Sequence, residues 1–317
     1  MQNAFEILHL LSDGKFHSGE CLAKQLKISR SSVWKAINYL RNLDVTLHAV
    51  KSRGYCWVGP IELLNKEKIL SFLNPLSVQA LSRLDVLNVT ASTNDYLLTR
   101  ISHGLQSGAV CIAEGQTAGR GRQGKSWSSP VGANIYLSFY WRFPGKLNAL
   151  SGLSLVVALA VLESLSQVGA LPADLGIKWP NDIWYQDKKL CGILIETVGS
   201  DVIIGIGLNL QLPRPLSQDR TDLKSAFNAL PSRNNLIAYL LNELFLNIKQ
   251  FEQEGFTAFA QQWMRHDLLA NKRVQVSDTH STELGIAQGV NDRGELLVRI
   301  GENLKAIRYG DVSIRPD

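Results

Sequence analysis

The 317-residue sequence predicts an α+β chain in three successive parts: a basic helical head, a mixed-sheet α/β body and an all-strand tail. Three observations carry that prediction. Residues 1–60 hold eight Lys/Arg against four Asp/Glu, whereas residues 61–317 hold 25 against 24, so nearly all the surplus positive charge sits in the head. Apolar, strand-like runs then alternate with helix-like stretches through the middle of the chain. From about residue 271 only short strands and turns remain. The expected divisions are therefore 1–60, 61–270 and 271–317. With 45% hydrophobic and 19% charged residues, the chain has the material for a sizeable core, which excludes a disordered or fibrous protein.

Membrane and disulfide classes are excluded on similar grounds. The longest strongly apolar stretch, near Leu153 to Leu162, is half of the roughly 20 residues that a membrane span needs. The N-terminus lacks the basic start and cleavage site of a signal peptide. Cysteines at 21, 56, 111 and 191 form no CxxC pair or zinc spacing, which points to reduced thiols and a cytoplasmic protein without a membrane partner.

In the head, Phe5, Ile7, Leu8 and Leu11 mark a short helix that ends at Ser12-Asp13-Gly14. Ser18 caps a second helix, with Leu22 and Leu26 on one face. A third helix is expected from Arg30 to Asn42. Val33, Ile37 and Leu40 form its packing face, and Ser31, Trp34, Lys35 and Asn38 form a polar face at the same spacing. One face to pack and one to donate hydrogen bonds is the helix-turn-helix arrangement, with the third helix reading DNA. Val45 to Val50 and Tyr55 to Val58 follow as a hairpin whose tip carries Lys51 and Arg53. Such a wing places cations against phosphates or the minor groove. Arg30, Ser31, Trp34, Lys35, Asn38, Lys51 and Arg53 are the expected DNA contacts. Gly59-Pro60 closes the head, and Ile61 to Phe72 reads as a linking helix.

The densest chemistry is Gly119-Arg120-Gly121-Arg122-Gln123-Gly124-Lys125-Ser126-Trp127. It matches both the GxxxxGKS phosphate loop and the GxGxxG dinucleotide fingerprint. Each of those needs a helix directly after the glycines, because helix N-terminal amides hold the phosphate. Here Pro130 and Gly132 break any such helix, and Ala133 to Trp141 reads as a strand. The expectation is instead a flexible loop between two strands, the first from Ala109 to Ala113. Its glycines permit close backbone approach to a ligand, and its two arginines offer forked donors to a carboxylate or phosphate. Downstream, Lys178-Trp179-Pro180-Asn181-Asp182, Lys189 at the head of an apolar strand, and Asn209 near the end of the Asp201–Leu210 strand can meet at one face of an antiparallel sheet.

These segments occur together, in order, with Ser92-Thr93-Asn94 and Gln116 upstream: Gly119-Arg120-Gly121-Arg122-x-Gly124-x-x-Trp127, Lys178-Trp179-Pro180-Asn181-Asp182, Lys189-Leu190-x-Gly192-Ile193-Leu194-x-Glu196 and Gly205-x-Gly207-x-Asn209. The set resembles a biotin protein ligase, and the N-terminal winged helix-turn-helix makes it similar to the bifunctional type that is also a biotin operon repressor. Essentially the whole chain takes part. Two departures stand out: Lys125 and Ser126 occupy positions that are often arginine or otherwise basic, so the loop carries less fixed charge.

The resemblance implies an ATP-dependent ligase with biotin and ATP as substrates and Mg²⁺ accompanying the triphosphate. The biotin carboxylate, already ionised at neutral pH, needs no protein nucleophile, only positioning and cations around crowded negative charge. By the resemblance, Ser92, Thr93, Asn94, Gln116 and the backbone of Gly119, Arg120 and Gly121 hold the ureido ring. Arg122 and Lys189 face carboxylate and phosphate with Lys178 nearby, Trp127 walls the adenylate, and Asp182 or Asn209 approaches the metal. The implied partners are a biotin carboxyl carrier protein, operator DNA and, with adenylate bound, a second copy of the chain. A lipoate or octanoate ligase, and a non-catalytic DNA-binding regulator sensing a small co-repressor, stay open as alternatives.

The remaining elements fit this plan. Leu236 to Glu254 is a long amphipathic helix with a core stripe of Leu240, Leu244, Ile248 and Phe251. The tail strands are expected at Val274–Val276, Glu283–Val290, Glu295–Ile300, Leu304–Tyr309 and Val312–Ile314, with a turn at Asn291-Asp292-Arg293-Gly294. They read as a small barrel, which the resemblance makes an SH3-like C-terminal domain.

Overall fold

Side chains at the helix starts explain the head. Ser18 Oγ accepts the Cys21 amide and opens α2 (Gly19–Leu26), and Ser29 Oγ accepts the Ser32 amide and opens α3 (Arg30–Asn42). Each hydroxyl satisfies an amide that the first helical turn leaves without a partner. With α1 (Gln2–Leu11) they bury Ile7, Leu8, Leu11, Leu22, Val33, Ile37 and Leu40. The wing is an antiparallel pair, β1 (Leu47–Val50) and β2 (Gly54–Trp57). The computed structural model describes residues 2–57, 62–144, 150–212, 214, 216–277, 282–308 and 313–316. The predicted strand end at Val58, the Gly59-Pro60 boundary, Ile61, Tyr309 and Val312 lie outside the described residues.

The linking helix is shorter than Ile61 to Phe72. Among the described residues it is α4 (Lys66–Ser71), started by Asn65, whose side chain accepts the Lys68 amide. Tertiary bonds claim the preceding segment. Glu62 accepts from Ser232, the Leu64 amide donates to Glu114, and the Asn65 amide donates to Asn234. A second short helix, α5 (Pro75–Ala80), leads into the sheet.

Seven strands form the body in the order β3-β4-β5-β9-β8-β7-β6. They are β3 (Arg83–Thr90), β4 (Ala109–Gln116), β5 (Asn134–Arg142), β6 (Leu175–Lys178), β7 (Asp182–Tyr185), β8 (Lys188–Val198) and β9 (Asp201–Asn209). Among the described strands only β3 and β4 pair in parallel, joined by the crossover helix α6 (Thr93–Ile101). The sheet is thus mixed, as expected. β4 runs three residues beyond Ala113, because β3 supplies partners for Gly115 and Gln116.

Strand alternation splits the two faces. Val110, Ile112, Leu137, Phe139, Ile204 and Ile206 pack beneath α7 (Leu153–Ser166) and α9 (Arg233–Glu254). α7 is the apolar stretch singled out in the sequence, and twelve of its fourteen residues are buried, so it is a core helix. The opposite face places Ala109, Cys111, Tyr140 and Ile203 against α6. Farther along that face, side chains shrink to Ser138, Gly205 and Gly207, leaving room for a cleft.

The tail is a five-stranded antiparallel sheet, ordered β13-β12-β11-β10-β14, with β10 (Arg273–Ser277), β11 (Thr282–Val290), β12 (Leu296–Ile300), β13 (Asn303–Ile307) and β14 (Ser313–Pro316). Its Asn291–Gly294 turn docks on the body: the Trp179 indole donates to the Gly294 carbonyl at 2.9 Å and Ser151 donates to the Arg293 carbonyl at 2.5 Å. The head docks as well, since Trp57 and Val131 share one apolar cluster.

Candidate active site and DNA-facing head

The cleft occupies about 380 Å³ and lies over the small-residue half of the sheet. Ser92-Thr93-Asn94 form one end. Ser92 caps α6, so the helix N-terminus faces the cleft, and Thr93 and Asn94 are buried at its first positions. The Thr93 amide donates to Gln116 Oε1 at 2.8 Å, and Gln116 Nε2 donates to Ser129 Oγ at 3.0 Å. Ser92, Thr93, Asn94 and Gln116 thus line this end with neutral hydrogen-bonding groups in fixed orientations, with the Glu196 carboxylate behind Asn94.

The loop over the cleft is a hairpin, not a phosphate loop. Trp127 N–H donates to the Gly119 carbonyl at 2.8 Å and Gly121 N–H to the Lys125 carbonyl at 2.7 Å. Arg122–Gly124 make a single 3₁₀ turn that Gln123 breaks at φ 54°, and Lys125 returns to extended backbone. No helix dipole stands behind these glycines. Trp127 folds back onto the sheet, where Gly192 on β8 pairs with Gly207 on β9. A Cβ at Gly207 would stand 2.5 Å from the indole, and one at Gly192 3.0 Å. Paired glycines are what allow a flat ring to lie on the strands.

Cations gather at the other end, each on a partner. Arg122 Nη1 donates to Asn181 Oδ1 at 3.1 Å, and Asn181 is fixed by donating to the Ile193 carbonyl at 2.6 Å. Lys189 Nζ lies 2.7 Å from Asp182 Oδ1 and 5.5 Å from the Trp127 ring centre. Lys178 Nζ sits 3.7 Å over the Trp184 ring. Back at the Ser92–Asn94 end, Arg120 grips Asp95 with two bonds of 2.6 and 2.7 Å and reaches Glu196 at 3.1 Å. The hydrogen bonds it donates to Asp95, with the nearby Glu196, hold this guanidinium even more firmly charged than usual. Burial pushes the Cys191 thiol far up, so it offers no nucleophile beside the cleft.

Most of the residues expected from sequence therefore share one cleft: Ser92, Thr93, Asn94, Gln116, Arg120, Gly121, Arg122, Trp127, Lys178, Asp182 and Lys189 all line it. Gly119 and Asn209 do not reach the wall. Gly119 supports the hairpin from behind, and buried Asn209 donates to the Thr221 carbonyl. That bond braces the segment carrying Asp219 and Arg220, which also line the cleft and had no signal in the sequence. Their segment has no periodicity, and backbone pairing with Lys189 helps bring it over the site. Among the described residues no three His, Cys, Asp or Glu side chains cluster as a metal centre.

Comparison with known proteins places this chain. Three family models match in chain order: HTH domain over residues 3–56, Biotin/lipoate A/B protein ligase family over residues 86–210, and Biotin protein ligase C terminal domain over residues 270–315. The Bifunctional ligase/repressor BirA of Escherichia coli (strain K12) is 39% identical over 98% of this chain and 96% of its own length. Its namesake in Bacillus subtilis (strain 168) is 30% identical over 98% of both. The chain belongs to the bifunctional biotin ligase/repressor family. A structure titled biotin protein ligase from Aquifex aeolicus in complex with biotin and ATP superposes with a TM-score of 0.66 at 28% identity, covering 74% of this chain and 100% of that one. The protein is thus a biotin protein ligase fused to a helix-turn-helix head of the repressor type.

On the repressor side of this ligase, α3 presents the polar face read from the sequence. Arg30, Ser31 and Lys35 are exposed, Trp34 is 59% exposed, and Asn38 is half-buried beside the packing face. Lys51 and Arg53 stand exposed at the wing tip, where Arg53 lies 4.2 Å over the Phe16 ring. No helix among the described residues is long and apolar enough to cross a membrane.

Proposed function

We propose that this ligase condenses biotin with ATP to biotinyl-5′-AMP, transfers the biotinyl group to a lysine of a biotin carboxyl carrier protein, and represses biotin synthesis when the adenylate is bound. The observation that carries the reading is the polarity of the cleft. Neutral, fixed hydrogen-bonding groups stand at one end and three partnered cations at the other, with an indole between.

In the first step a carboxylate oxygen bonds to the α-phosphorus while the bond to the β-phosphate oxygen breaks and pyrophosphate leaves. Arg122, Lys178 and Lys189 offset the charge that crowds there. A cation about 4 Å from a phosphate oxygen contributes roughly 4 kcal/mol before desolvation, at an effective dielectric near 20. In the second step a lysine amine attacks the acyl carbon, AMP departs, and the ammonium releases its proton. Ser92, Thr93, Asn94 and Gln116 hold the ureido ring, with Trp127 beside the adenylate. The Arg120 hairpin covers the anhydride against water. Magnesium enters with the triphosphate as part of the substrate. It needs only one or two protein carboxylates, and Asp182 and Asp219 on the wall fit that need. We assign DNA binding to residues 1–60, catalysis to 61–270 and a smaller SH3-like unit to 271–317. Operator binding proceeds as a homodimer promoted by adenylate, which spaces two recognition helices across the half-sites.

Native mass spectrometry after incubation with biotin and Mg-ATP is expected to find a non-covalent adenylate that requires both substrates. An adenylate of lipoate or octanoate, formed in preference, would replace biotin as the acid. Absence of any adenylate, with operator retardation still responsive to biotin, would favour a sensor without ligase activity.

A further inference from the structure

Glu196 carries a carboxylate that the reaction above does not use, and two parts of the site converge on it. Asn94 Nδ2 donates to Glu196 Oε2 at 2.6 Å, and Arg120 Nη2 donates to Glu196 Oε1 at 3.1 Å. Asn94 is 4% exposed, and its Oδ1 accepts from the buried Ser138 hydroxyl at 2.5 Å. A Cβ at Gly205 would stand 2.5 Å from that Oδ1, so the amide lies directly on β9.

A carboxamide has nearly the same shape at both ends and opposite hydrogen-bonding character, so its partners decide which way it faces. An ionised carboxylate only accepts. Glu196 therefore demands the amino end of Asn94, and Ser138 can give its proton to the other end. The same carboxylate anchors the loop, because Arg120 bridges it to Asp95. We propose that Glu196 is a positioning residue for biotin recognition: it sets the orientation of the Asn94 amide at the ring end of the cleft and, through Arg120, holds the hairpin over it. This inference rests on reading the cleft as the biotin site. A ureido ring offers N–H and C=O groups at fixed angles, and a turned amide would meet like with like.

Glu196→Gln tests it. The neutral side chain can offer Asn94 either an oxygen or an amino group, and Arg120 loses one of two carboxylates. KM for biotin is expected to rise roughly 10–100-fold, the change that a lost charge-assisted hydrogen bond corresponds to. KM for ATP, and kcat at saturating biotin, should stay within about twofold, the signature of lost ground-state binding. Asp95→Asn loosens the Arg120 anchor without touching Asn94. It should speed adenylate release while raising KM for biotin less than Glu196→Gln does. A Glu196→Gln enzyme with unchanged KM for biotin overturns the proposal, and so does one in which both KM values rise and kcat falls together. An Asp95→Asn enzyme that reproduces the full biotin effect overturns the role assigned to Asn94. A wild-type protein without biotin-dependent pyrophosphate release would sink the biotin reading itself, an outcome visible before any variant is made.

Discussion

The cations of the cleft and those of the head follow opposite rules. In the cleft, Arg122 rests on Asn181, Lys189 on Asp182, Lys178 on Trp184, and Arg120 on two carboxylates. On the head, Arg30, Lys35 and Lys51 stand exposed along a helix face and a wing tip. The difference follows from the two tasks. Charge developing at a phosphorus is stabilised by donors already in place, whose reorganisation would otherwise add to the barrier. Cations that neutralise DNA phosphates gain affinity by releasing condensed counterions, which needs positive charge near a surface and tolerates mobile side chains. The cleft should therefore respond to ångström-scale geometry, and the head to salt.

Arg122→Ala should give the largest effect. It removes a forked donor held 3.1 Å from Asn181, and adenylate formation is expected to fall by about 10²–10³. Arg122→Lys should lose nearly as much, because a point charge cannot replace the fork. Biotin-dependent pyrophosphate release measures both, with thermal unfolding as the control for folding. Turnover at the wild-type level would break the comparison on its catalytic side.

Gly207→Val probes geometry without changing charge. Its side chain would intrude where Cβ alone comes within 2.5 Å of the Trp127 indole. Overpacking of this kind should displace the ring and shorten adenylate retention about tenfold, as measured by dissociation of labelled adenylate. An unaltered half-life would mean that Trp127 is not a wall of the adenylate site.

The head sharpens the contrast from the other side. Lys35→Ala or Lys51→Ala should each reduce the log–log salt slope of operator binding by about 0.9 for every phosphate that the lysine neutralises. Pyrophosphate release should not follow. Gel-shift titrations over a range of salt concentrations check this, and a slope equal to wild type would remove that residue from the interface.

What could be read from the sequence divides along the same line. The head was legible almost to the residue, because its signals are local: Ser18 and Ser29 start helices, and spacing alone separates the packing face of α3 from its polar face. The hairpin was legible too, since Pro130 and Gly132 forbid the helix that both look-alike motifs require. The site was only half legible. Its loop residues announce themselves, but Asp95, Ser138, Asp219 and Arg220 join it through sheet register and a returning loop that no local pattern encodes. Asn209 carried a motif signal and proved to brace that returning loop. The linker failed for the same reason: Glu62 and Leu64 bond to residues 50 to 170 positions away, which overrides a helix start at Ile61.

That linker is where the two halves of the comparison are joined, and it makes the smallest and most specific prediction. Burial of Glu62 acts to raise its pKa, but hydrogen bonds from Lys68, Ser232 and Asn234 outweigh it and hold the carboxyl at about 2, below its ordinary 4.5. A depressed carboxylate contributes its full stabilisation above pH 4.5 and loses it as the pH falls through about 2. Partial exposure screens the contribution to about 1 kcal/mol. Glu62→Gln should therefore lower stability by that amount at neutral pH, with the gap closing as the pH falls through about 2. Denaturant midpoints for both proteins across this range provide the check. A gap that persists undiminished in acid would show that Glu62 acts through shape and neutral hydrogen bonds, and that the joint between reader and catalyst does not depend on charge.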